Sequence, residues 1–247
     1  MEIARFLAMQ WSLAHNILKQ EIPSDTFQEN DKPVSVVMIS DTHGKHRDLD
    51  QVLPYGDILI HAGDFTLFGN KEDAIDFNNW LGNLPHLFKI VINGNHESNP
   101  PWKKESSTAS ILSNAIFLSN SSVKLEIIPA GRKIVNVYGT EFYWPMRTPN
   151  PYYDQIPSYS GHDTTNSNID ILVSHGPAKG FVDGGGSGCE MLARLIKRVK
   201  PKLFVCGHVH WDHGIINCDE TGTTYVNAAN AMQHGKKLQW DPIKINI

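Results

Sequence analysis

Apolar positions along this chain fall into short runs that repeatedly end in polar clusters. Val34 to Ile39 runs into Ser-Asp-Thr-His-Gly, Asp57 to Ile60 into His-Ala-Gly-Asp, and Phe88 to Ile92 into Asn-Gly-Asn-His-Glu. Each has the length of a buried strand with a chemically loaded end. Between them, Lys71 to Leu84 carries Ala74, Phe77 and Leu81 at helical spacing, while Ile111 to Leu118 fits helix or strand. The second half repeats the device. Lys124 to Ile128 and Ile134 to Tyr138 flank Pro-Ala-Gly-Arg like the arms of a hairpin, and Ile169 to Val173 ends in Ser-His-Gly. Met191, Leu192, Leu195, Ile196 and Val199 share a helix face closed by Pro201, and Leu203 to Val205 leads into Cys-Gly-His-Val-His. Gly214 to Asn217 and Thr223 to Asn227 read as a terminal hairpin. Strands alternating with helices predict an α/β core.

Two stretches stand apart from that rhythm. Ile3 to Leu18 repeats its apolar positions at helical spacing until Pro23, and the polar stretch from Ser24 to Lys32 follows as a linker. Residues 1–32 are therefore expected to be an N-terminal helix and linker, with one domain over 33–247. A signal peptide is the competing reading, disfavoured by Glu2 where a basic flank belongs and by the Gln10-Trp11-Ser12 interruption. Trp144 to Asn168, rich in Pro, Tyr, Ser and Asn, has no period and reads as a long loop of the kind that forms lids or inserts. Its Trp144, Tyr152 and Tyr153 suit either stacking on a nucleobase or pinning the loop to the surface.

Composition narrows the function. At 247 residues the chain is compatible with one large α/β domain or two small ones, and 40% apolar residues can fill a core. Lys and Arg number 22 against 26 Asp and Glu, so nothing basic drives nucleic-acid binding. No uncharged apolar run approaches the roughly 18 residues of a membrane span. Three cysteines, Cys189, Cys206 and Cys218, are too few for a disulfide framework and fit a reducing, cytoplasmic setting. Twelve histidines are the compositional oddity, and imidazole is the side chain most often recruited for metal ligation and proton transfer near neutral pH.

The ends of the apolar runs carry Asp41 and His43, Asp64, Asn95 and His96, His175, and His208 and His210. In an open α/β sheet the carboxyl ends of the strands form the ligand crevice, so side chains distant in sequence converge there. Asp, His and Asn without thiolate suit manganese, iron, zinc or nickel. Asp64, lying between two such pairs, can bridge two metals, and ions roughly 3.5–4 Å apart can hold a phosphate while activating a water.

These residues carry a resemblance. Ser40-Asp-Thr-His-Gly44, Gly63-Asp64, Gly94-Asn-His-Glu97, Ser174-His-Gly176 and Gly207-His-Val-His210 resemble, in order, the five-part signature of the calcineurin-like metallophosphoesterase superfamily. A narrower likeness is to the metallophosphoesterase-domain-containing (MPPED) group, related to class III cyclic-nucleotide phosphodiesterases. It is carried by His175-Gly-Pro, Gly180, Asp183, Gly188-Cys189, Lys200-Pro201 and the late Thr-Tyr-Val-Asn-Ala. The resemblance implies a four-layer α/β/β/α sandwich with two divalent or trivalent metal ions, manganese or iron favoured. It puts Asp41, His43, Asp64 and His210 around one ion and Asp64, Asn95, His175 and His208 around the other. It makes His96 the group that contacts phosphate and protonates the departing oxygen, with Glu97 orienting it. One mammalian branch of the narrower group lacks the first histidine of the last motif and is weak in catalysis; His208 is present here.

The implied reaction is hydrolysis of a phosphodiester, a cyclic nucleotide among the candidates, by metal-activated hydroxide. Phosphomonoesterase or nucleotidase action is the alternative, and a weakly active nucleotide-binding scaffold is the rival from another class. The expected partner is a small phosphoester, with no nucleic acid and no membrane span. His46 and His213 lie close enough to ligand motifs to be candidates for substrate contact. Gly184-Gly-Gly-Ser-Gly188 lacks the ending of a P-loop; it reads as a flexible loop, or as one touching a substrate anion at the start of the following helix.

Overall fold

The computed structural model describes residues 32–98, 107–141, 168–232 and 237–247. The expected N-terminal helix and the aromatic positions Trp144, Tyr152 and Tyr153 lie outside them. Two sheets form. In the first, β1 (Ser35–Ile39), β2 (Ile58–His61), β3 (Phe88–Val91) and β4 (Ile116–Phe117) run parallel, and β11 (Ile243–Asn246) pairs antiparallel with β1 on its other side. In the second, β6 (Lys133–Thr140), β7 (Ile171–Ser174), β8 (Leu203–Cys206) and β10 (Thr223–Asn227) are parallel. They are flanked by β5 (Ser121–Ile127) and β9 (Gly214–Cys218), each antiparallel to its neighbour.

Side-chain alternation along these strands builds the layers. Val36, Met38, Ile58, Ile60 and Ile90 meet Val137, Ile171, Val173, Leu203, Val205 and Val226 in one buried cluster between the sheets. The intervening residues point the other way, as the period of two requires. Val37, Ile39, Leu59 and Val91 pack on Ala74, Phe77, Trp80 and Leu81 of α1 (Lys71–Asn83), while Leu172, Phe204 and Tyr225 pack on Leu192, Leu195 and Ile196 of α3 (Glu190–Val199). Helix, sheet, sheet and helix therefore stack in four layers, the architecture that the resemblance implied.

Local chemistry sets the helix limits. Asn70 caps α1 by accepting the Glu72 N–H at 2.9 Å, and α3 ends where Lys200 turns left-handed before Pro201. Met191, expected on the buried face of α3, is 46% exposed. The ambiguous Ile111 to Leu118 stretch divides between a short helix, α2 (Thr108–Ile111), and β4.

The strand ends meet at one place. Ser40 beyond β1 pairs in parallel with Ala229 beyond β10; its N–H donates to Asn230 Oδ1 at 3.1 Å and its carbonyl accepts the Asn230 N–H at 2.9 Å. This seam joins the first sheet to the second at the end of β1, next to Asp41. No helix among the described residues is long and apolar enough to cross a membrane.

Candidate metal centre

Five loops supply the site. Asp41 and His43 follow β1, Asp64 follows β2, Asn95 and His96 follow β3, His175 follows β7, and His208 and His210 follow β8. Asp41, His43, Asp64 and His208 hold left-handed backbones, with φ of 56°, 46°, 57° and 68°. Non-glycine residues in that region cost roughly 1–3 kcal/mol each and persist where surroundings over-determine them, commonly at functional sites. Here the surroundings are cross-loop bonds: Asp41 N–H to Gly63 O at 3.0 Å, and His43 N–H to Asp64 O at 3.0 Å. Glycines allow the approach. A Cβ on Gly94 would stand 2.2 Å from Asp64 Oδ1, and one on Gly207 would stand 2.2 Å from Asp41 Oδ2.

The side chains gather into groups whose ligand atoms lie within 4.8 Å of one another: Asp41, His43 and His210; Asp64, His175 and His208; and a third that joins His43, Asp64 and His96. Asn95 belongs with the second, its Oδ1 lying 3.0 Å from His175 Nε2 and 2.8 Å from His208 Nδ1. Asp64 is common to the second and third groups and His43 to the first and third, so the three groups form one continuous cluster.

Proton bookkeeping on the imidazoles tests whether cations fit. A carbonyl oxygen only accepts, so a ring nitrogen facing one carries hydrogen. His43 Nδ1 faces Thr66 O at 3.3 Å, His175 Nδ1 faces Ala62 O at 2.7 Å, and His210 Nδ1 faces Met232 O at 2.8 Å. Their Nε2 atoms are then lone-pair donors in the neutral ring. Yet His210 Nε2 lies 3.0 Å from Asp41 Oδ1, His175 Nε2 lies 3.3 Å from Asp64 Oδ2, and the Nε2 atoms of His43 and His210 face each other at 3.3 Å. With these rings neutral, lone pairs converge on lone pairs; a proton on Nε2 or a bound cation resolves the arrangement, and the cation is the case that backbone-oriented metal histidines share. The residues present fit a metal centre.

The site's electrostatics carry the same demand for positive charge. Burial pushes Asp41 up, but the imidazoles of His210, His175 and His43 outweigh it and hold the carboxylate well below its ordinary range. Asp64 is likewise lowered against its burial by His175 and His96. His175 shows the complement: burial lowers it, yet the Asp64 and Asp41 carboxylates and the Ala62 carbonyl raise it to about 9.

His96 stands at the mouth, its side chain 27% exposed. Its backbone N–H donates to Asp64 Oδ1 at 2.9 Å, and its Nε2 lies 3.8 Å from Asp64 Oδ2. The expectation that Glu97 orients this ring is corrected by the geometry. Nδ1 of His96 donates instead to the Leu67 carbonyl. Fully buried Glu97 accepts Asp64 N–H at 2.9 Å, Gly94 N–H at 2.9 Å, Thr66 N–H at 2.8 Å and the Thr66 hydroxyl at 2.6 Å. Glu97 thus locks the loops carrying Asp64 and Asn95. Burial and the Asp64 carboxylate push Glu97 up to about 7, against those donors.

Other sequence candidates fall outside the cluster. His46 Nε2 pairs with Asp76 at 3.1 Å, and His213 donates to Ala229 O while stacking on Trp240. The Gly184–Gly188 loop is occupied by its own anion: Asp183 accepts the N–H groups of Gly180, Gly186 and Gly188. Sequence reading missed the supporting residues at and past the end of β10. Asn227 Nδ2 donates to Val209 O at 2.8 Å, between His208 and His210, while Asn230 holds Ser40 and Met232 O orients His210. Two asparagines ending a strand resemble any strand exit, so only the noted Thr-Tyr-Val-Asn-Ala likeness pointed there.

The layered sandwich brings paired His and Asp groups to its strand ends as a candidate metal centre, and similarity to known proteins supplies the family. The family model for calcineurin-like phosphoesterases matches residues 34–212, and the chain belongs to that family. It is 35% identical over 231 residues to human Metallophosphoesterase domain-containing protein 1, covering 78% of this chain and 65% of that protein. The chain thus spans just under two thirds of that relative's length. A UPF0046 protein of Caenorhabditis elegans is 35% identical over 230 residues, covering 87% of this chain and 81% of the relative. The crystal structure of TT1561 of Thermus thermophilus superposes with a TM-score of 0.57 at 14% identity over 79% of this chain and 89% of that one, a likeness of fold.

Proposed function

We propose that this chain is a dinuclear metal-dependent phosphoesterase that hydrolyses a phosphodiester. The observation that carries the reading is the convergence of imidazole lone pairs on the Asp41, Asp64 and Asn95 oxygens, in two groups sharing one neighbourhood. One ion would lie among Asp41, His43 and His210 and the other among Asn95, His175 and His208, with Asp64 between them. Manganese or iron suits this oxygen and imidazole donor set. Bound there, two such cations supply Lewis acidity to the phosphoryl oxygens and make a water nucleophilic at neutral pH.

The chain's own groups do the rest. Asp64, held by Glu97 and by the His96 N–H, fixes the spacing of the two groups. His96, with Nδ1 donating to Leu67 O, presents Nε2 at the mouth, where it transfers a proton to the leaving oxygen. The motif likeness to the class III phosphodiesterase-related group supports a diester. Cys189, Cys206 and Cys218 are all free, which supports a reducing compartment.

Manganese-loaded protein is expected to turn over bis-p-nitrophenyl phosphate faster than p-nitrophenyl phosphate; a clear monoester preference would overturn the diester assignment. His96→Ala should lower kcat about 100-fold or more, within the range for a general acid, while both metals are retained. Because His96 also clusters with His43 and Asp64, the variant's metal content is measured alongside. Loss of an ion would make His96 a ligand and remove it from the proton-transfer role.

A further inference from the structure

Ring contacts across the cleft extend beyond the proposed ligands. His210 and His43 have centroids 5.2 Å apart, His43 and His96 4.6 Å, and His96 and Phe68 6.3 Å. Phe68 is the last ring in this series and is 78% exposed, the most exposed large apolar side chain among the described residues. An exposed phenylalanine is in itself ordinary. What distinguishes Phe68 is how firmly its backbone is held. On one side, Leu67 O accepts from His96 Nδ1, and the Thr66 hydroxyl donates to Glu97 Oε1 at 2.6 Å. On the other, Gly69 N–H donates to the same Thr66 hydroxyl at 3.0 Å, closing a tight turn with Phe68 inside it. The main chain is pinned to the machinery around Asp64 and His96, and the ring stands in solvent beside the proton donor.

We infer that Phe68 is the platform for the leaving group, and that the preferred substrates are phosphoesters whose departing alcohol carries a flat aromatic system, an aryl ring or a nucleobase. The inference rests on the reading of His96 as the proton donor, because the group beside that donor meets the alcohol that departs. The water oxygen bonds to phosphorus as the ester P–O bond breaks. The leaving oxygen keeps that electron pair and takes the proton from His96 Nε2; the proton shed by water passes to solvent, from which His96 is later reprotonated. A phenyl ring offers a π-face and no hydrogen-bonding group, so it selects for flatness without discriminating among bases.

The test uses the metal-loaded full chain and four probes: bis-p-nitrophenyl phosphate and p-nitrophenyl phosphate with aryl leaving groups, glycerophosphocholine and glycerol 3-phosphate with alkyl ones. Phe68→Ala should lower kcat/KM for the aryl probes about tenfold more than for the alkyl probes, in line with the loss of one stacking contact, and Phe68→Trp should restore it. Equal factors on both classes, or no rescue by tryptophan, overturn the inference while leaving the phosphoesterase reading intact. Hydrolysis of none of the four by the unaltered chain counts against that reading instead. Calorimetry then still decides on Phe68. Phe68→Ala should weaken phenylphosphonate binding and spare methylphosphonate, and equal effects on the two ligands overturn the proposal.

Discussion

The carboxylate of Glu97 shows how a buried residue can fix a candidate site without being one of its proposed ligands. Each of its oxygens accepts two hydrogens, Oε1 from the Thr66 amide and hydroxyl and Oε2 from the Asp64 and Gly94 amides. Glu97→Gln keeps the shape but turns one oxygen into an NH2 that faces two donors. Buried groups left unsatisfied cost about 1–3 kcal/mol each, so the variant should unfold at lower urea concentration and bind manganese more weakly. A change within the roughly 0.5 kcal/mol of a neutral surface substitution would contradict this role. The candidate ligands were legible in the sequence because each stands just after an apolar run, where the sheet delivers it to the crevice. The direction of Glu97 was not: adjacency to His96 suggested a contact, but the turn after β3 sends the two side chains to different partners.

At the scale of elements, the glycine-rich loop before α3 is braced from within and braces the segment carrying His208 and His210. Asp183 fills its nest of amides, Gly184 N–H donates to Asp212 Oδ2 at 2.7 Å, and Asn227 Nδ2 donates to both Val182 O and Val209 O. Burial pushes the Asp183 carboxyl up, but the N–H groups of Gly180, Gly188, Gly186 and Gly185 outweigh it and leave its pKa below the ordinary value. A depressed folded pKa gives stability that is present above the unfolded value and lost as pH falls through the folded one. Denaturation of the metal-free protein should therefore show Asp183→Asn less stable than the unaltered chain at pH 6, with the gap narrowing below about pH 4. A gap independent of pH would contradict the anionic nest. Periodicity could not reveal this loop, since its order comes from one carboxylate rather than from an apolar face. Strand β11 escaped for another reason: Ile243 and Ile245 alternate correctly but form too short a segment to stand out, and pairing with β1 makes it a strand.

Across the whole molecule, two sheets stacked face to face bring together groups more than 160 positions apart, such as Asp41 and His210. The alternation of Val36, Val37, Met38 and Ile39 between inner and outer clusters shows why the layers were readable in outline, since each strand must be covered on both sides. The seam between Ser40 and Asn230 was not, because backbone pairing across sheets leaves no trace in hydropathy. The seam ties the end of β1 to the segment after β10, and the strand ends around it matter only if they hold cations. Anomalous diffraction from crystals of the chain reconstituted with manganese tests this most directly. It should show two peaks about 3.5–4 Å apart, one bounded by Asp41, His43 and His210 and the other by Asn95, His175 and His208, with Asp64 between them. A single peak, or none at these residues in fully reconstituted crystals, would contradict the account.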